Sequence, residues 1–390
     1  MSGEIAEGPA AVLAWNRALL GEEEIAEAVD ALRSGWLTTG PKTARFEAGV
    51  RELTGAEDAF AVNSCTAALH LALLAGGVGA GDEVITPSLT FCAIANVIAR
   101  VGATPVLVDV LPDQLNLDPA AVAAAVSGRT RAIVAMHYGG HPCEMDELRE
   151  IADQHGLLLI EDAAHAIGAQ YRGRPVGSLG DLAAFSFYAN KNITTGEGGM
   201  LVGRADLVRS ARLLGRHGLS RVAWQRHGDR GPADYDVLEA GLKYNMSDVL
   251  AAVGVHQLKR LPEFLARRGV IAARYSQELA GLPGLWLPGT AADVRHAWHL
   301  YPVQVSPGRA GMDRDALAEA LAAAGIATSI HFTPIHRLAR YRDLADPAAM
   351  PHTERAADRL LSLPCYPAMT DDDVSRVIAA IRQAWGEPAP

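Results

Sequence analysis

Cysteine is scarce in this chain of 390 residues: only Cys65, Cys92, Cys143 and Cys365 occur. They are widely spaced and form no CxxC pair. That argues against a disulfide framework and against a zinc or other metal site, and it fits a reducing, cytoplasmic environment. No run of about 18 uninterrupted apolar residues appears, so no membrane span is expected. The opening "MSGEIAEGPAAVLAW" lacks a basic segment followed by an apolar core, and so does not read as a secretory signal peptide. Positive charge is also short. The formal net charge is −10 and the pI about 5.7, whereas a nucleic-acid backbone demands clustered Lys and Arg. A small anionic ligand stays compatible with this balance, because a local pocket can oppose the global charge. Internal repeats are absent.

What is present is ordinary for a soluble globular protein with a large core: 49% apolar and 21% charged residues. The length suits two or three domains. From residue 55 to 190, short apolar runs alternate with longer amphipathic ones. "DAFAVN", "DEVITPS", "TPVLVDV", "RAIVAMHYGG" and "LLLIEDAA" read as strands. "CTAALHLALLAGG", "FCAIANVIARVG", "PAAVAAAVSG" and "EMDELREIADQHG" between them read as helices. Repeated βα units predict an α/β fold with a mostly parallel sheet and helices on both faces, with ligands beyond the carboxyl ends of the strands. Further on, "LPEFLARRGVIAARYSQELAGLPG" predicts a helix bridging two domains. "HAWHLYPVQV" and "IATSIHF" read as strands, and "MDRDALAEALAAAG" and "DDDVSRVIAAIRQAW" as helices, together a smaller α+β unit.

Three strand ends carry polar groups. In "NSCTAAL", Ser64, Cys65 and Thr66 sit where a strand gives way to a helix, whose free amides and dipole favour an anion such as phosphate; taken alone, the stretch reads more readily as an N-cap. In "LLLIEDAAHA", four apolar residues deliver Glu161 and Asp162 to the end of a central strand, where a buried carboxylate needs a partner. A salt bridge or a helix cap would satisfy that need as well as function would. In "FSFYANKNITTGEGG", Lys191 follows an alternating apolar run and precedes a glycine-rich turn. Desolvation there would disfavour the ammonium and leave an amine able to form a Schiff base, although a single lysine at a strand edge is the commoner arrangement. Pyridoxal phosphate would use all three groups at once: anion cradle, carboxylate for the ring nitrogen, lysine for the aldehyde. "TGEGG" lacks the GxGxxG spacing and the early βα turn of a dinucleotide site.

These stretches, with "SGWLTTGPKTARFE", "GDEVITPSLTF", "GLKYNMSD", "HAWHLYPV" and "LSLPCYPAMTDDD", resemble the DegT/DnrJ/EryC1/StrS family of sugar aminotransferases, of pyridoxal-phosphate fold type I, over nearly the whole chain. The nearest branch by motif is the UDP-4-amino-4-deoxy-L-arabinose aminotransferase type. The resemblance implies a large three-layer αβα domain with an N-terminal segment over residues 1–260 and a small C-terminal α+β domain over 261–390. It implies Lys191 as the residue that binds the cofactor covalently and moves the proton, with the cofactor alternating between pyridoxal and pyridoxamine phosphate. Asp162 would pair with the ring nitrogen, Phe91 would lie over the ring, and His165 would sit near the phenolic oxygen. Cys65 (through its backbone), Thr66 and Ser186 would hold the phosphate. Thr39, Gly40 and Lys42 of the "TTGPK" loop, with Tyr138 and His331, would meet the sugar nucleotide; His336 is a further candidate. The family completes its site across a homodimer with a G-Y-N-Y-R-M segment. Here that segment reads Gly241 to Met246, with Lys243 and Asn245 in place of the Asn and Arg, so either could reach the phosphate. Cys65 replaces a common glycine. The expected reaction is amination of a nucleotide-linked 4-keto-6-deoxy sugar with glutamate as donor. A 3-aminotransferase or a catalytically silent homologue are the alternatives; a sugar 3-dehydrase would have histidine at Lys191.

Overall fold

The structure, a computed structural model, describes residues 12–220 and 235–387. The first eleven residues of the stretch read above for a signal peptide lie outside the described residues. No described helix is long and apolar enough to cross a membrane.

The βα rhythm forms as the sequence predicts. Strands β1 (Asp58–Val62), β2 (Glu83–Pro87), β3 (Thr104–Val108), β4 (Thr130–Met136) and β5 (Leu158–Asp162) are followed by a two-residue hairpin, β6 (Gln170–Tyr171) and β7 (Arg174–Pro175). Then come β8 (Leu182–Ser186) and β9 (Gly199–Gly203). The main sheet has the order β1-β9-β8-β5-β4-β2-β3. Pairing from β3 through β8 is parallel, and β9 runs against both of its neighbours. Both faces are covered. Along β4, Ala132, Val134 and Met136 join one hydrophobic cluster while Ile133 and Ala135 join another. Side chains that alternate into two separate cores are what a three-layer arrangement requires.

Local signals place the helices. The helix α1 (Glu22–Ser34) has three glutamates in its first turn and ends at Gly35, whose φ of 72° suits glycine. The next, α2 (Pro41–Thr54), starts on proline. Its first amides are held by Asp248, whose carboxylate accepts from Gly40 N, Lys42 N, Thr43 N and Thr43 Oγ1 at 2.7, 3.1, 2.9 and 2.6 Å. The helix α3 (Cys65–Ala75) is capped by Ser64, whose hydroxyl accepts from Ala67 N.

Two expectations shift in the second half. The bridging helix is longer than the text around Pro262 suggests and spans Asp248–Glu278, with Pro262 inside it. A proline removes one helical donor, yet both halves are anchored. Leu261, Phe264 and Leu265 belong to the large core, and Ile271, Ala272 and Tyr275 to a second core. The expected boundary at 260/261 therefore falls inside a continuous helix that passes from one core to the other. Leu13 also lies in the second core, bridged to Ile326. The segment "IATSIHF" is no strand: it makes only single bridges at Ile326 and Ser329, because the His331 carbonyl is taken by the Tyr138 hydroxyl. In "HAWHLYPVQV" only Tyr301–Val305 is a strand. Before it, Ala297 N and Leu300 N donate to Gly140 O and Gly139 O of the large unit at 3.0 and 3.1 Å. A three-stranded antiparallel sheet of Leu285–Trp286, Tyr301–Val305 and Leu360–Leu363 completes the small unit. The helices Arg314–Ala323 and Asp371–Ala384 share its core.

Candidate active site

Strands β1, β5 and β8 run the same way, so Val62, Asp162 and Ser186 end at one edge of the sheet. Successive side chains of β5 face opposite ways, which separates the two acids. Glu161, fully buried, accepts from His137 Nε2 at 3.0 Å and from the amides of Gly177, Leu179 and Gly180 at 3.1, 2.9 and 2.8 Å. It is a saturated anchor. Asp162 is different: Oδ1 accepts from Ala164 N at 3.1 Å and lies 3.9 Å from Cys65 Sγ, while Oδ2 has no hydrogen-bond partner among the described residues. Burial pushes its pKa up, opposed by the Ala164 amide and then by the charge of Lys191.

Cys65 is buried at the start of α3, its thiol donating to Ala184 O at 3.4 Å. Burial, then the charge of Asp162, raises its pKa. The amides of Cys65 and Thr66 find no acceptor among the described residues. The helix start can sit this low because residue 199 is glycine: a Cβ there would lie 2.4 Å from Ser64 C and 2.6 Å from Cys65 N. Here is a physical reason for part of the glycine-rich turn after Lys191.

Lys191 follows β8, its amide donating to Tyr188 O at 2.9 Å. The residue keeps partial exposure, but its amine is deep enough that burial pulls its pKa down to about 8, against the pull of Cys65 and Asp162. Around it stand uncharged histidines. His165, His299 and His331 are all pushed down by burial first and by the Lys191 charge among the further causes, His331 to about 4. His165 Nδ1 is buried without a partner. The His165 ring lies 4.3 Å from that of His299 and 5.9 Å, stacked, from Phe332. Phe91, about half exposed, has its ring 5.8 Å from Phe332. Ser186, at the end of β8, accepts from Tyr188 N at 3.4 Å.

The remaining expected residues are more dispersed. The Tyr138 hydroxyl is buried and donates to the His331 carbonyl, and His331 Nδ1 lies 2.8 Å from Ser362 Oγ. His336 is held between Ser88 Oγ at 2.6 Å and Glu354 at 2.7 Å, as a hydrogen-bonded loop histidine. Lys42 bonds to Glu27 and Asp30, each at 2.5 Å. Thr39 Oγ1 donates to Met246 O at 2.7 Å and accepts from Asn245 Nδ2 at 2.7 Å. A Cβ on Gly40 would meet Trp36 Nε1 at 2.2 Å. Lys243 donates to Asn245 Oδ1, and Asn245 bridges to Val62 of β1, an edge strand. Two strands, β9 and β8, separate that edge from Asp162. The chain thus brings Cys65, Asp162, Lys191 and His165 together and leaves Lys243 and Asn245 at the border. Three residues of the cluster received no role from the sequence: Asn192, His299 and Phe332. "HAWHL" was the signal for His299, a histidine in a run that bonds the large unit before its strand begins.

A free carboxylate oxygen, a desolvated amine, an unpartnered imidazole nitrogen and a helix start with open amides fit pyridoxal phosphate. The comparisons agree. The model of the DegT/DnrJ/EryC1/StrS aminotransferase family matches residues 18–382. The spore coat polysaccharide biosynthesis protein SpsC of Bacillus subtilis (strain 168) is 47% identical over 378 residues, covering 95% of this chain and 96% of SpsC. The structure of DesI in the presence of its TDP-sugar product superposes with a TM-score of 0.86 at 38% identity, covering 97% of this chain and 94% of that one. A protein described as a sugar aminotransferase, Spr1654 from Streptococcus pneumoniae, reaches a TM-score of 0.90 at 32% identity, covering 96% and 99%, and has been solved in both PMP and PLP forms. This chain belongs to the DegT/DnrJ/EryC1/StrS aminotransferase family and is a pyridoxal-phosphate-dependent enzyme of fold type I.

Proposed function

We propose that the enzyme aminates C-4 of a nucleotide-linked 4-keto-6-deoxy sugar, taking nitrogen from glutamate. The observation that carries the site assignment is the convergence of Asp162, Cys65 and Lys191 at neighbouring strand ends, with Asp162 Oδ2 and the first amides of α3 left without protein partners. The nucleotide-sugar class is supported by the similar DesI, whose structure was analysed in the presence of its TDP-sugar product. Position 4 rests on the motif likeness to the UDP-4-amino-4-deoxy-L-arabinose type.

Pyridoxal phosphate supplies the electron sink that lets an amino group pass between an amino acid and a ketone. Asp162 Oδ2 would accept a hydrogen bond from the ring nitrogen. The amides of Cys65 and Thr66, with the Thr66 and Ser186 hydroxyls, hold the phosphate against the positive end of α3. Burial lowers the pKa of Lys191 Nζ to about 8, so this amine gives up its proton more readily than an exposed lysine does. That amine takes the proton from the donor's α-carbon and returns one to the sugar carbon, which fixes the face of addition. His165 Nδ1, which has no partner among the described residues, would bond the phenolic oxygen, and Phe91 would cover the ring. Thr39, Gly40, Lys42, Tyr138 and His331 border the nucleotide-sugar path. Lys243 or Asn245 reaches the phosphate in a second copy of the chain, so the working unit is a homodimer in the cytoplasm.

A panel of nucleotide-linked ketosugars, incubated with glutamate and analysed by NMR, tests this. The expected product is a 4-amino sugar with an equivalent of 2-oxoglutarate. A 3-amino product would overturn the regiochemistry, and turnover of none of them by cofactor-loaded protein would favour a silent homologue.

A further inference from the structure

His299 is only 2% exposed, yet it touches three parts of the molecule at once. Its Nδ1 lies 3.1 Å from Oδ1 of Asn192, the residue directly after Lys191. Asn192 Nδ2 donates to Ala297 O at 2.8 Å, which identifies Oδ1 as the acceptor facing the imidazole. His299 Nδ1 therefore carries the proton and Nε2 the lone pair. The His299 ring lies 4.3 Å from the His165 ring at a tilt of 38°.

The backbone of His299 is held as firmly. Its carbonyl accepts from Arg268 Nη1 at 3.3 Å, a guanidinium that also bonds Trp298 O and Cys365 O. Leu300 N and Ala297 N, on either side, donate to Gly139 O and Gly140 O. A Cβ on Gly140 would lie 2.8 Å from His165 O and 3.2 Å from His299 N. Glycine at 140, with a φ of 99°, thus allows the backbones of the two histidines to come together. The imidazole is thus fixed through Nδ1 and by the His165 ring, and that nitrogen is spent on the neighbour of the reactive lysine.

We propose that His299 is a positioning residue, setting the Lys191 backbone through Asn192 and the His165 ring by direct contact. The inference rests on the proposed function of Lys191 and His165 and extends it to a residue outside the cofactor shell. The support geometry matters because a misplacement of about 1 Å at a reacting group can cost on the order of a hundredfold in rate.

The test compares His299→Phe, which keeps a ring against His165 but cannot donate, with His299→Asn, whose side-chain amide replaces the Nδ1 donor without the ring. Asn192→Ala and the double variant His299→Phe/Asn192→Ala complete a cycle. Two properties are read on folded protein, verified by thermal melting: the rate at which apoprotein captures pyridoxal phosphate as a visible absorbance band, and the pH midpoint of that band. The expected result is capture slowed about tenfold or more in His299→Phe and equally in Asn192→Ala, with no further loss in the double variant. His299→Asn should capture within about twofold of the parent but show a displaced midpoint, since only the His165 contact is lost. Parental capture and midpoint in folded His299→Phe, or in Asn192→Ala should His299→Phe fail to fold, would overturn the inference. Additive losses would overturn it as well. A parent protein with no band would overturn the cofactor reading itself, a result distinct from a normal parent with unaffected variants.

Discussion

At the scale of single residues, the site is built on unequal satisfaction of polar groups. Glu161 has every acceptor position occupied and works as structure, whereas its neighbour Asp162 keeps one oxygen free. Lys191 carries a cost of the same origin. Its folded pKa of about 8 lies below the ordinary lysine value of 10.5, so folding disfavours the charged form. The cost to the apoprotein is complete below pH 8, shrinks as pH rises from about 8 to about 10.5, and is gone above that. Apo Lys191→Met should therefore melt above the apo parent at pH 7 by about 1 °C, the shift that roughly 1 kcal/mol makes in a chain of this length, with the penalty discounted for partial access to water. The gap should close toward pH 10.5. Calorimetry at several pH values checks it; an unchanged gap across that range would contradict the account. Lys191, Asp162 and Cys65 were legible in the sequence because each ends a strand or follows one within a few residues, and so carries its own local context. His299, Asn192 and Phe332 acquire meaning only through contacts more than about 100 positions away, which no local pattern contains.

Among the elements, the packing of α3 on β9 matters most. Strand β9 must be glycine at position 199 for the start of α3 to reach the phosphate position, since any Cβ collides with backbone rather than with a movable side chain. Gly199→Ala should lower stability by about 1–3 kcal/mol through overpacking and weaken pyridoxal phosphate binding more than it lowers the melting temperature. Gly79→Ala, where a Cβ would meet nothing within 4 Å, is the control and should leave both properties near the parent. Equilibrium binding and thermal melting separate the two effects. If Gly199→Ala bound cofactor like the parent, α3 would not be the phosphate cradle. The helices and strands between residues 55 and 190 were readable because hydrophobic period and capping residues agree there, as with Ser64 before α3 and Asp118 before Pro119–Ala125. Agreement failed later. Pro262 resembled a helix start but lies within a helix held by two cores, and "IATSIHF" has strand composition while its backbone groups are claimed by separate partners.

For the whole molecule, the question is what completes the site. Within one chain, Lys243 and Asn245 lie beside the end of the edge strand β1, two strands away from Asp162. A homodimer that shares its sites would make them useful in trans. Lys191→Ala and Lys243→Ala, each inactive or nearly so alone, should regain about a quarter of parental activity when refolded together in equal amounts, because half of the dimers are mixed and each mixed dimer has one intact site. Activity equal to the sum of the separate variants would place Lys243 in cis or outside the site. The parallel sheet, its two-sided cover and the small C-terminal unit were all foreseen from the sequence. How the units are joined was not, because the Asp248–Glu278 helix contributes to both cores and Leu13, near the other end of the chain, packs into the C-terminal one.

The most direct measurement is borohydride reduction of the holoenzyme followed by peptide mapping. The chain has four lysines, Lys42, Lys191, Lys243 and Lys259, so the attachment point is unambiguous. The account predicts that reduction abolishes the visible band and leaves a pyridoxyl group on Lys191 alone. A band that resists reduction, or a label on any of the other three, would contradict it.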